Sequence, residues 1–170
     1  VVICGEGAHA SVAAMARVMD CEVVLVAGDR LEHDGVATAL TEHAGRVCAV
    51  VATAGTTNLG RVDDLVGVAA ACQQEGVWLH VDGAYGLAAL LAPSARDRFR
   101  GLEHADSFVV DPHKWLFAPF DCCALVYRDP KIAKAAHTQN AEYLEVLRDE
   151  GDWNASDYAH HLTRRARGLP

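Results

Sequence analysis

Residues 77–86 read VWLHVDGAYG, and this stretch decides the fold. Its first five residues are apolar apart from His80, which predicts a buried strand that ends at Asp82. Gly83 then breaks the strand. A carboxylate at the end of such a strand is costly to bury unless it meets a cation. Asp82 is therefore either a structural cap or salt bridge, or part of a functional site.

Apolar runs of this kind alternate with helical spacing along the whole chain. The pattern predicts strands at residues 1–4, 22–27, 47–53, 77–82, 107–110 and 124–127. It predicts helices at residues 11–19, 35–43 and 62–74, the last with Asp63 and Asp64 in its first turn. Alternating strands and helices indicate right-handed crossovers and a mostly parallel sheet, so we predict an α/β fold.

The composition argues against several classes of function. The 170 residues contain 15 Lys plus Arg and 23 Asp plus Glu, for a formal charge of −8, and the only dense basic cluster lies at residues 164–167. This balance argues against nucleic-acid binding. The longest apolar runs fall short of the ~20 residues of a membrane helix, so we expect a soluble, cytoplasmic protein without a membrane partner. Six cysteines are too few for a disulfide scaffold, and we expect no metal site.

Candidate site residues follow four of the predicted strands, at residues 5–9, 54–58, 82–85 and 111–114. The carboxyl ends of parallel strands form the ligand crevice of such a sheet, so one site could draw on all four segments. One interpretation is a dinucleotide fingerprint, because Gly5, Gly7 and Ala10 follow a strand and Asp29 comes later at a suitable distance. A glycine-rich turn is also ordinary in strand–helix units, and His9 would sit inside the phosphate-binding turn.

A lysine follows the strand at residues 107–110, in the run DPHKW at residues 111–115. Lys114 stands among aromatic and apolar residues, which favours partial desolvation and a more nucleophilic amine toward a carbonyl. Asp82 and Lys114 are separated by a helix and a strand, so both can point into one crevice. Pyridoxal phosphate needs such a pair, because it forms a Schiff base with a lysine and requires a carboxylate opposite its ring nitrogen.

Three runs of the sequence resemble the group II pyridoxal-phosphate-dependent amino-acid decarboxylases: residues 53–57, residues 80–86 and residues 106–115. The runs WL at 115–116 and FDC at 120–122 are similar to the aromatic-L-amino-acid decarboxylase branch. The resemblance implies the three-layer large domain of pyridoxal-phosphate fold type I, similar to that of aspartate aminotransferase. It also implies a homodimer that converts an L-amino acid to its amine and carbon dioxide.

The resemblance further implies which residues bind the cofactor. Lys114 would form the Schiff base, and Asp82 would pair with the ring nitrogen. The other contacts would come from His9 and Ala84 on the two faces of the ring, Thr57 near the cofactor and the substrate carboxylate, and His113 near the phosphate.

Three further positions stand out in this resemblance. Asp111 occupies a position that is often Asn in the family, where it helps to hold the phosphate, so a carboxylate here would face a dianion or point elsewhere. Gly83 stands where many relatives have Ala, which we expect to matter little. Tyr143 matches a mobile-loop tyrosine thought to protonate the α-carbon after carbon dioxide leaves, and a Phe there is associated with aldehyde-forming relatives.

The pattern also predicts how the chain is divided. Residues 1–137 would form a partial cofactor-binding core, residues 138–158 a catalytic lid, and residues 159–170 the start of a following segment. The chain begins within a strand and stops without a terminal element, so we expect a piece of a longer subunit that is inactive alone. An aminotransferase or desulfurase of the same fold, or an NAD-binding dehydrogenase, are the alternatives.

Overall fold

The protein is described by a computed structural model that covers residues 1–139 and 155–158. Its strands are β1 (Val2–Gly5), β2 (Val23–Val26), β3 (Ala49–Thr53), β4 (Trp78–Asp82), β5 (Ser107–Val110) and β6 (Ala124–Tyr127). Its α-helices are α1 (Ala10–Val18), α2 (His33–Glu42), α3 (Leu65–Glu75) and α4 (Pro130–His137). Short 3₁₀ helices occupy Gly86–Leu91, Pro93–Phe99, Leu102–His104 and Ala155–Tyr158.

The strands form one sheet in the order β2-β1-β3-β4-β5-β6. The pairs β1 with β2, β1 with β3, β3 with β4, and β4 with β5 are all parallel. The register places Asp82 between Thr53 on β3 and Val109 on β5. The segments that follow these three strands therefore meet at one edge of the sheet. The predicted α/β fold with a mostly parallel sheet is confirmed.

All six predicted strands and all three predicted helices are present, with ends that lie within three residues of the predicted ones. The sequence pattern missed α4 and the 3₁₀ helices between β4 and β5, because such short segments carry too few apolar repeats to show a helical period. Helix α4 has Asp129 as its N-cap, whose carboxylate accepts the Lys131 N–H at 2.9 Å, and begins with Pro130.

Helix α3 begins at Leu65 rather than at residue 62, because two neighbouring aspartates have different roles. Asp64 is the N-cap, and its carboxylate accepts the Gly67 N–H at 3.1 Å. Asp63 is buried before the helix and accepts the N–H groups of Leu31 at 2.8 Å and Thr53 at 2.6 Å. Burial raises the pKa of Asp63, although these two hydrogen bonds and the charge of Arg30 act against the increase. Asp63 thus ties the end of β3 to the start of the segment before α2.

The two faces of the sheet are covered differently. Helices α2 and α3 pack over one face, where Ile3, Val50, Leu79 and Val81 are at most 1% exposed. The opposite face carries a smaller apolar cluster of Val2, Cys4 and Val51, with Val12 of α1 packed against it. This second face continues toward β4 and β5 as an open cavity. The core therefore lies under α2 and α3, and α1 covers only part of the other side.

The chain divides into two compact units, Val1–Val126 and Tyr127–Pro170. Within the second unit, Lys134 of α4 forms an ion pair with Asp157 at 2.8 Å, and the Tyr127 hydroxyl lies 2.9 Å from Nε2 of His137. Most of the predicted lid at residues 138–158, and all of the predicted segment at 159–170, lie outside the described residues. None of the helices in the described ranges is both long and apolar enough to cross a membrane.

Candidate active site

Asp82 ends β4 and is fixed by backbone contacts on both sides. Its carbonyl accepts the Ala54 N–H at 2.8 Å, and the following Gly83 N–H donates to Val109 O at 3.1 Å. The Asp82 carboxylate accepts the Ala84 N–H at 3.1 Å, and the side chain is half-buried. One carboxylate oxygen is thus used to shape the turn, and Asp82 lines a cavity beside Ala84.

Lys114 lies in the turn after β5, and that turn is joined to the one after β4. The Asp111 N–H donates to Ala84 O at 3.0 Å, and the Lys114 N–H donates to Asp111 O at 2.9 Å. The Lys114 ammonium forms an ion pair with the Asp111 carboxylate at 2.9 Å. Through these contacts Lys114 is positioned in the lining of the same cavity as Asp82.

The surroundings of Lys114 differ from those expected from the sequence. Its side chain is 39% exposed, and its neighbours Trp115, Leu116 and Phe117 are 45%, 41% and 86% exposed. The apolar residues therefore do not enclose the amine, and the partial desolvation of Lys114 stays a prediction. The amine is held instead by a carboxylate.

His9 is the N-cap of α1, which fixes the orientation of its ring. The ring Nδ1 accepts the Ser11 N–H at 3.2 Å and lies 2.9 Å from the Ser11 hydroxyl. His9 also lines the cavity. A helix cap thus supplies a planar, pre-oriented group above the sheet edge.

Thr57 belongs to a closed loop after β3. The Gly55 and Thr56 N–H groups both donate to Arg61 O, at 3.0 and 2.9 Å. Gly55 adopts φ +107°, and a Cβ at this position would lie 2.8 Å from the Gly86 Cα. This close approach brings the loop against the segment after Asp82, and Thr57 reaches the same cavity.

The cavity has a volume of about 620 Å³ and lies on the partly covered face of the sheet. Its strand residues share one face, as the register requires: Val2 on β1, Ala49, Val51 and Thr53 on β3, His80 and Asp82 on β4, and Val109 on β5. The candidate residues from the sequence that line it are His9, Thr57, Asp82, Ala84, Asp111 and Lys114.

Two candidates are not placed in this cavity. His113 is not among its lining residues, and its ring Nδ1 lies 2.6 Å from Cys122 O while Phe120 packs edge-on against the ring at 5.0 Å. Its role near the phosphate stays a prediction. Tyr143 lies outside the described residues, so its predicted role also stays a prediction.

The structure adds site residues that the sequence analysis missed. Tyr85 lines the cavity and stacks on Trp115 with ring centroids 5.1 Å apart and nearly parallel planes. Cys123 lines it beside Asp111. Burial and the hydrogen bond to the Asp111 carboxylate together raise the pKa of the Cys123 thiol to about 11. Nothing in the spacing of the sequence indicates that residues 111 and 123 meet, because an irregular loop joins them.

His80 also lines the cavity, and here a sequence signal was available because residues 80 and 82 of one strand face the same side. Trp78 Nε1–H donates to the Ser107 hydroxyl oxygen at 3.0 Å, and that oxygen lies 2.8 Å from His80 Nδ1. Since Trp can only donate, the Ser107 hydrogen is free to point at Nδ1. Burial lowers the pKa of His80, although the charge of Asp82 acts in the opposite direction.

One expectation about the turn after β4 is wrong. Alanine at position 83 was expected to be equivalent to glycine. A Cβ on Gly83 would lie 2.8 Å from the Cβ of Leu87 and closer still to the rest of that side chain, and Leu87 is only 2% exposed. In this chain, Leu87 occupies the space that an alanine methyl would need.

These residues fit pyridoxal phosphate by their chemistry. The cavity offers one amine at Lys114, a carboxylate at Asp82, an imidazole at His9 and a hydroxyl at Thr57, with the small Ala84 beside them. Its volume is typical of small-ligand sites. An amine and a separate carboxylate in one cavity are the groups this cofactor requires. The parallel sheet and this set of side chains therefore fit a pyridoxal-phosphate-binding domain.

Comparison with known proteins narrows this class. The family described as the pyridoxal-dependent decarboxylase conserved domain matches residues 1–167. The chain is 39% identical over 122 residues to an aromatic-L-amino-acid decarboxylase of Bacillus atrophaeus, covering 71% of this chain and 25% of the relative. It is 44% identical over 130 residues to an L-2,4-diaminobutyrate decarboxylase of Rhizobium meliloti, covering 74% and 26%. The crystal structure of Oryza sativa TDC with pyridoxal phosphate (PLP) and tryptamine superimposes with a TM-score of 0.88 at 25% identity, covering 97% of this chain and 36% of that one.

The chain belongs to the pyridoxal-dependent decarboxylase family. It spans about a quarter of the length of the curated relatives it matches. The glycine-rich turn after β1 is consequently part of a pyridoxal-phosphate fold, and the interpretation of residues 5–10 as a dinucleotide fingerprint is wrong. In the structure this turn leads to the His9 cap of α1, and Asp29 forms an ion pair with Arg61.

Proposed function

We propose that this chain forms the cofactor-bearing part of a carboxy-lyase that converts an L-amino acid to its amine and carbon dioxide. The observation that carries the proposal is the shared cavity of Lys114 and Asp82, with His9 and Ala84 in its lining. Family membership supports the same reaction class. The proposed activity is that of the whole protein, because the matched region covers only about a quarter of the relative's length.

Pyridoxal phosphate, when bound, supplies a protonated ring that accepts the electron pair left on the α-carbon when carbon dioxide departs. Lys114 is proposed to provide the amine that attaches the cofactor and that the substrate amine replaces. Asp82 is proposed to hold the proton on the ring nitrogen. Its position at the end of a strand suits this role, because the Ala84 N–H fixes one carboxylate oxygen and leaves the other available.

The remaining residues are proposed to orient rather than to react. His9, held by its own helix cap, would lie on one face of the ring, and the Ala84 methyl would lie on the other. Thr57 would contact the cofactor and the substrate carboxylate. A fixed ring plane favours loss of the group held perpendicular to it, so this arrangement contributes by positioning. His113 is proposed to assist at the phosphate.

Lys114→Ala tests the central role. The complete gene product should lose covalent cofactor attachment, measured as loss of the borohydride-reducible visible absorbance band. Lys131→Ala, at an exposed lysine in the first turn of α4, is the matched control and should keep the band. A reducible band retained in Lys114→Ala would rule Lys114 out. A band accompanied by transamination or desulfuration without carbon dioxide would instead support an aminotransferase or desulfurase.

Tyr143 is proposed to return a proton to the α-carbon, on the resemblance alone. Tyr143→Phe should then divert turnover from amine to aldehyde, measured by quantifying both products from one substrate. An unchanged amine yield would remove Tyr143 from the reaction.

The substrate is proposed to be an L-amino acid, and the comparisons include relatives named for aromatic amino acids and for L-2,4-diaminobutyrate. The Tyr85–Trp115 stack beside the cavity offers a flat apolar surface, which favours an aromatic side chain. A screen of amine production against the common amino acids decides between the two classes. We also propose a cytoplasmic homodimer, which light scattering of the complete gene product and cell fractionation would test.

A further inference from the structure

Asp111 is the most constrained carboxylate of the cavity. Its side chain is 14% exposed, and one oxygen, Oδ2, lies 2.9 Å from the Lys114 ammonium and 3.9 Å from Nε2 of His113. The Cys123 thiol donates a further hydrogen bond to the carboxylate. The backbone is fixed as well, because the Asp111 N–H donates to Ala84 O at 3.0 Å. The carboxylate is therefore held in one place by both its side-chain and its backbone partners.

These partners determine the charge of Asp111. Burial alone would raise the pKa of this carboxyl group. The hydrogen bonds from Lys114 and Cys123, together with the positive charges of Lys114 and His113, outweigh burial and hold the pKa of Asp111 below its usual range. Asp111 is consequently an anion near neutral pH, and it forms a charge-assisted hydrogen bond with the Lys114 ammonium at 2.9 Å.

A direct contact between Asp111 and the cofactor phosphate does not fit this geometry. A carboxylate without a proton has only acceptors, and it would repel a dianion at short distance. Asp111 instead points one oxygen at Lys114 Nζ. When the amine is consumed, the Cys123 thiol and the His113 ring remain within reach of the carboxylate and can keep it in place.

We propose that Asp111 is a positioning residue that holds Lys114 at the cavity wall as an ammonium ion and thereby sets the pH dependence of cofactor attachment. The inference rests on the proposed role of Lys114. In the attachment step the Lys114 ammonium releases one proton to solvent, and its nitrogen lone pair adds to the aldehyde carbon. The aldehyde oxygen leaves as water, and a carbon–nitrogen double bond is formed. The Asp111 ion pair opposes the first of these events, since only the neutral amine carries a lone pair.

The proposal assigns this effect to Asp111 among several titratable groups near the amine. The groups that share the cavity or the turn with Lys114 are His9 at the start of α1, Cys48 before β3, His80 and Asp82 on β4, Tyr85 after β4, Asp111 and His113 after β5, and Cys123 before β6. Asp111 is the group placed at ion-pair distance from Lys114 Nζ in the described structure. Changing Asp111 alone should therefore move the pH profile while the others stay constant.

Asp111→Asn tests the proposal with a side chain of nearly the same shape. The apoprotein is mixed with pyridoxal phosphate over a series of pH values, and the rise of the borohydride-reducible band is followed in time. An opposite charge at this distance shifts a proton equilibrium by about tenfold or more. The variant should therefore load about tenfold faster near pH 7, and the pH of half-maximal rate should fall by about one unit.

Two further variants make the result interpretable. Asp97→Asn removes the carboxylate of another i, i+3 ion pair, the exposed one between Asp97 and Arg100, and should load like the wild type. Asp111→Glu restores a carboxylate and should return the profile toward that of the wild type. Faster loading at lower pH in Asp111→Asn alone supports the proposal.

Identical profiles for the wild type and Asp111→Asn would overturn it, and so would slower loading in that variant, because Asp111 would then support the cofactor directly. If the wild type and Asp97→Asn show no reducible band at any pH, the proposed role of Lys114 fails, and this inference fails with it. The two failures are thus distinguishable by the wild-type band alone.

Discussion

The two faces of the sheet use alternate residues of the same strands for different purposes. On the face under α2 and α3, Val50 and Val81 are fully buried members of the apolar core. On the other face, the next residues along the same strands, Val51 and Asp82, line the cavity. The pleat of the strand separates the two sets, since successive side chains point to opposite sides.

This difference explains how a charged group can end a strand of the core. Asp82 follows Val81 directly, yet Asp82 lines the cavity that Lys114 also lines, whereas Val81 is 0% exposed in the apolar core. Packing on the α2 and α3 face fixes the position of the strand. That position in turn fixes where the residues on the open face, such as Asp82, meet the cavity. Changes on the two faces should accordingly affect different measurements, activity for one and stability for the other.

The largest effect is expected for Asp82→Asn on the open face. The amide can still accept the Ala84 N–H but carries no charge to hold a proton on the cofactor ring. We expect kcat for amine production to fall on the order of 100-fold to 1,000-fold. Covalent attachment through Lys114 should persist, as measured by the reducible band. Asp97→Asn, at an exposed carboxylate, should leave kcat unchanged. Near-normal turnover in Asp82→Asn would mean that a group other than Asp82 keeps the cofactor ring nitrogen protonated.

The packed face was predictable from the sequence because its physical basis is local. Apolar runs of four to seven residues separated by helical spacing are sufficient to indicate buried strands and crossover helices, and the observed elements match them closely. The helix start at residue 62 was the weakest of these predictions. Asp63 resembles a first-turn residue in sequence, but in the structure its carboxylate binds Leu31 and Thr53, which are distant along the chain.

The open face was predictable only in part. Asp82, Ala84 and Lys114 follow predicted strands in the sequence, and ligands bind at the carboxyl edge of a parallel sheet. Their presence in one site could therefore be predicted. The side-chain directions after β5 do not follow from any period. The exposure of Phe117 and the contact of Cys123 with Asp111 depend on loop geometry, which the sequence pattern does not encode.

A smaller effect, on the free energy of unfolding, is expected from truncating a valine to alanine on each face. Val50 and Val51 allow this comparison because they are neighbours in β3 and point to opposite faces. Val50 is 0% exposed and surrounded by the core, so Val50→Ala should lower the free energy of unfolding by about 2–3 kcal/mol. Val51 already borders the cavity, so Val51→Ala creates less new empty space and should cost about 1 kcal/mol. Urea denaturation of the two variants measures the difference. Equal losses would show that the two faces are equally well packed.

The smallest effect concerns the pH dependence of stability through His80. Burial lowers the pKa of His80 in the folded protein, so below the ordinary value of about 6.5 the unfolded chain binds a proton that folded His80 does not. The free energy of unfolding should therefore fall as the pH is lowered from 7 toward 5, with a slope from this residue of at most about 1.4 kcal/mol per pH unit. Urea denaturation at several pH values measures this slope.

His80→Gln should flatten this pH dependence, because the unfolded chain then lacks the proton site. The exposed His104 provides the control, and His104→Gln should keep the wild-type slope. Equal slopes for all three proteins would mean that folded His80 takes up its proton as readily as the unfolded chain does. In that case the ring would be solvated from the cavity, and the Trp78–Ser107–His80 hydrogen bonds would not isolate it from water.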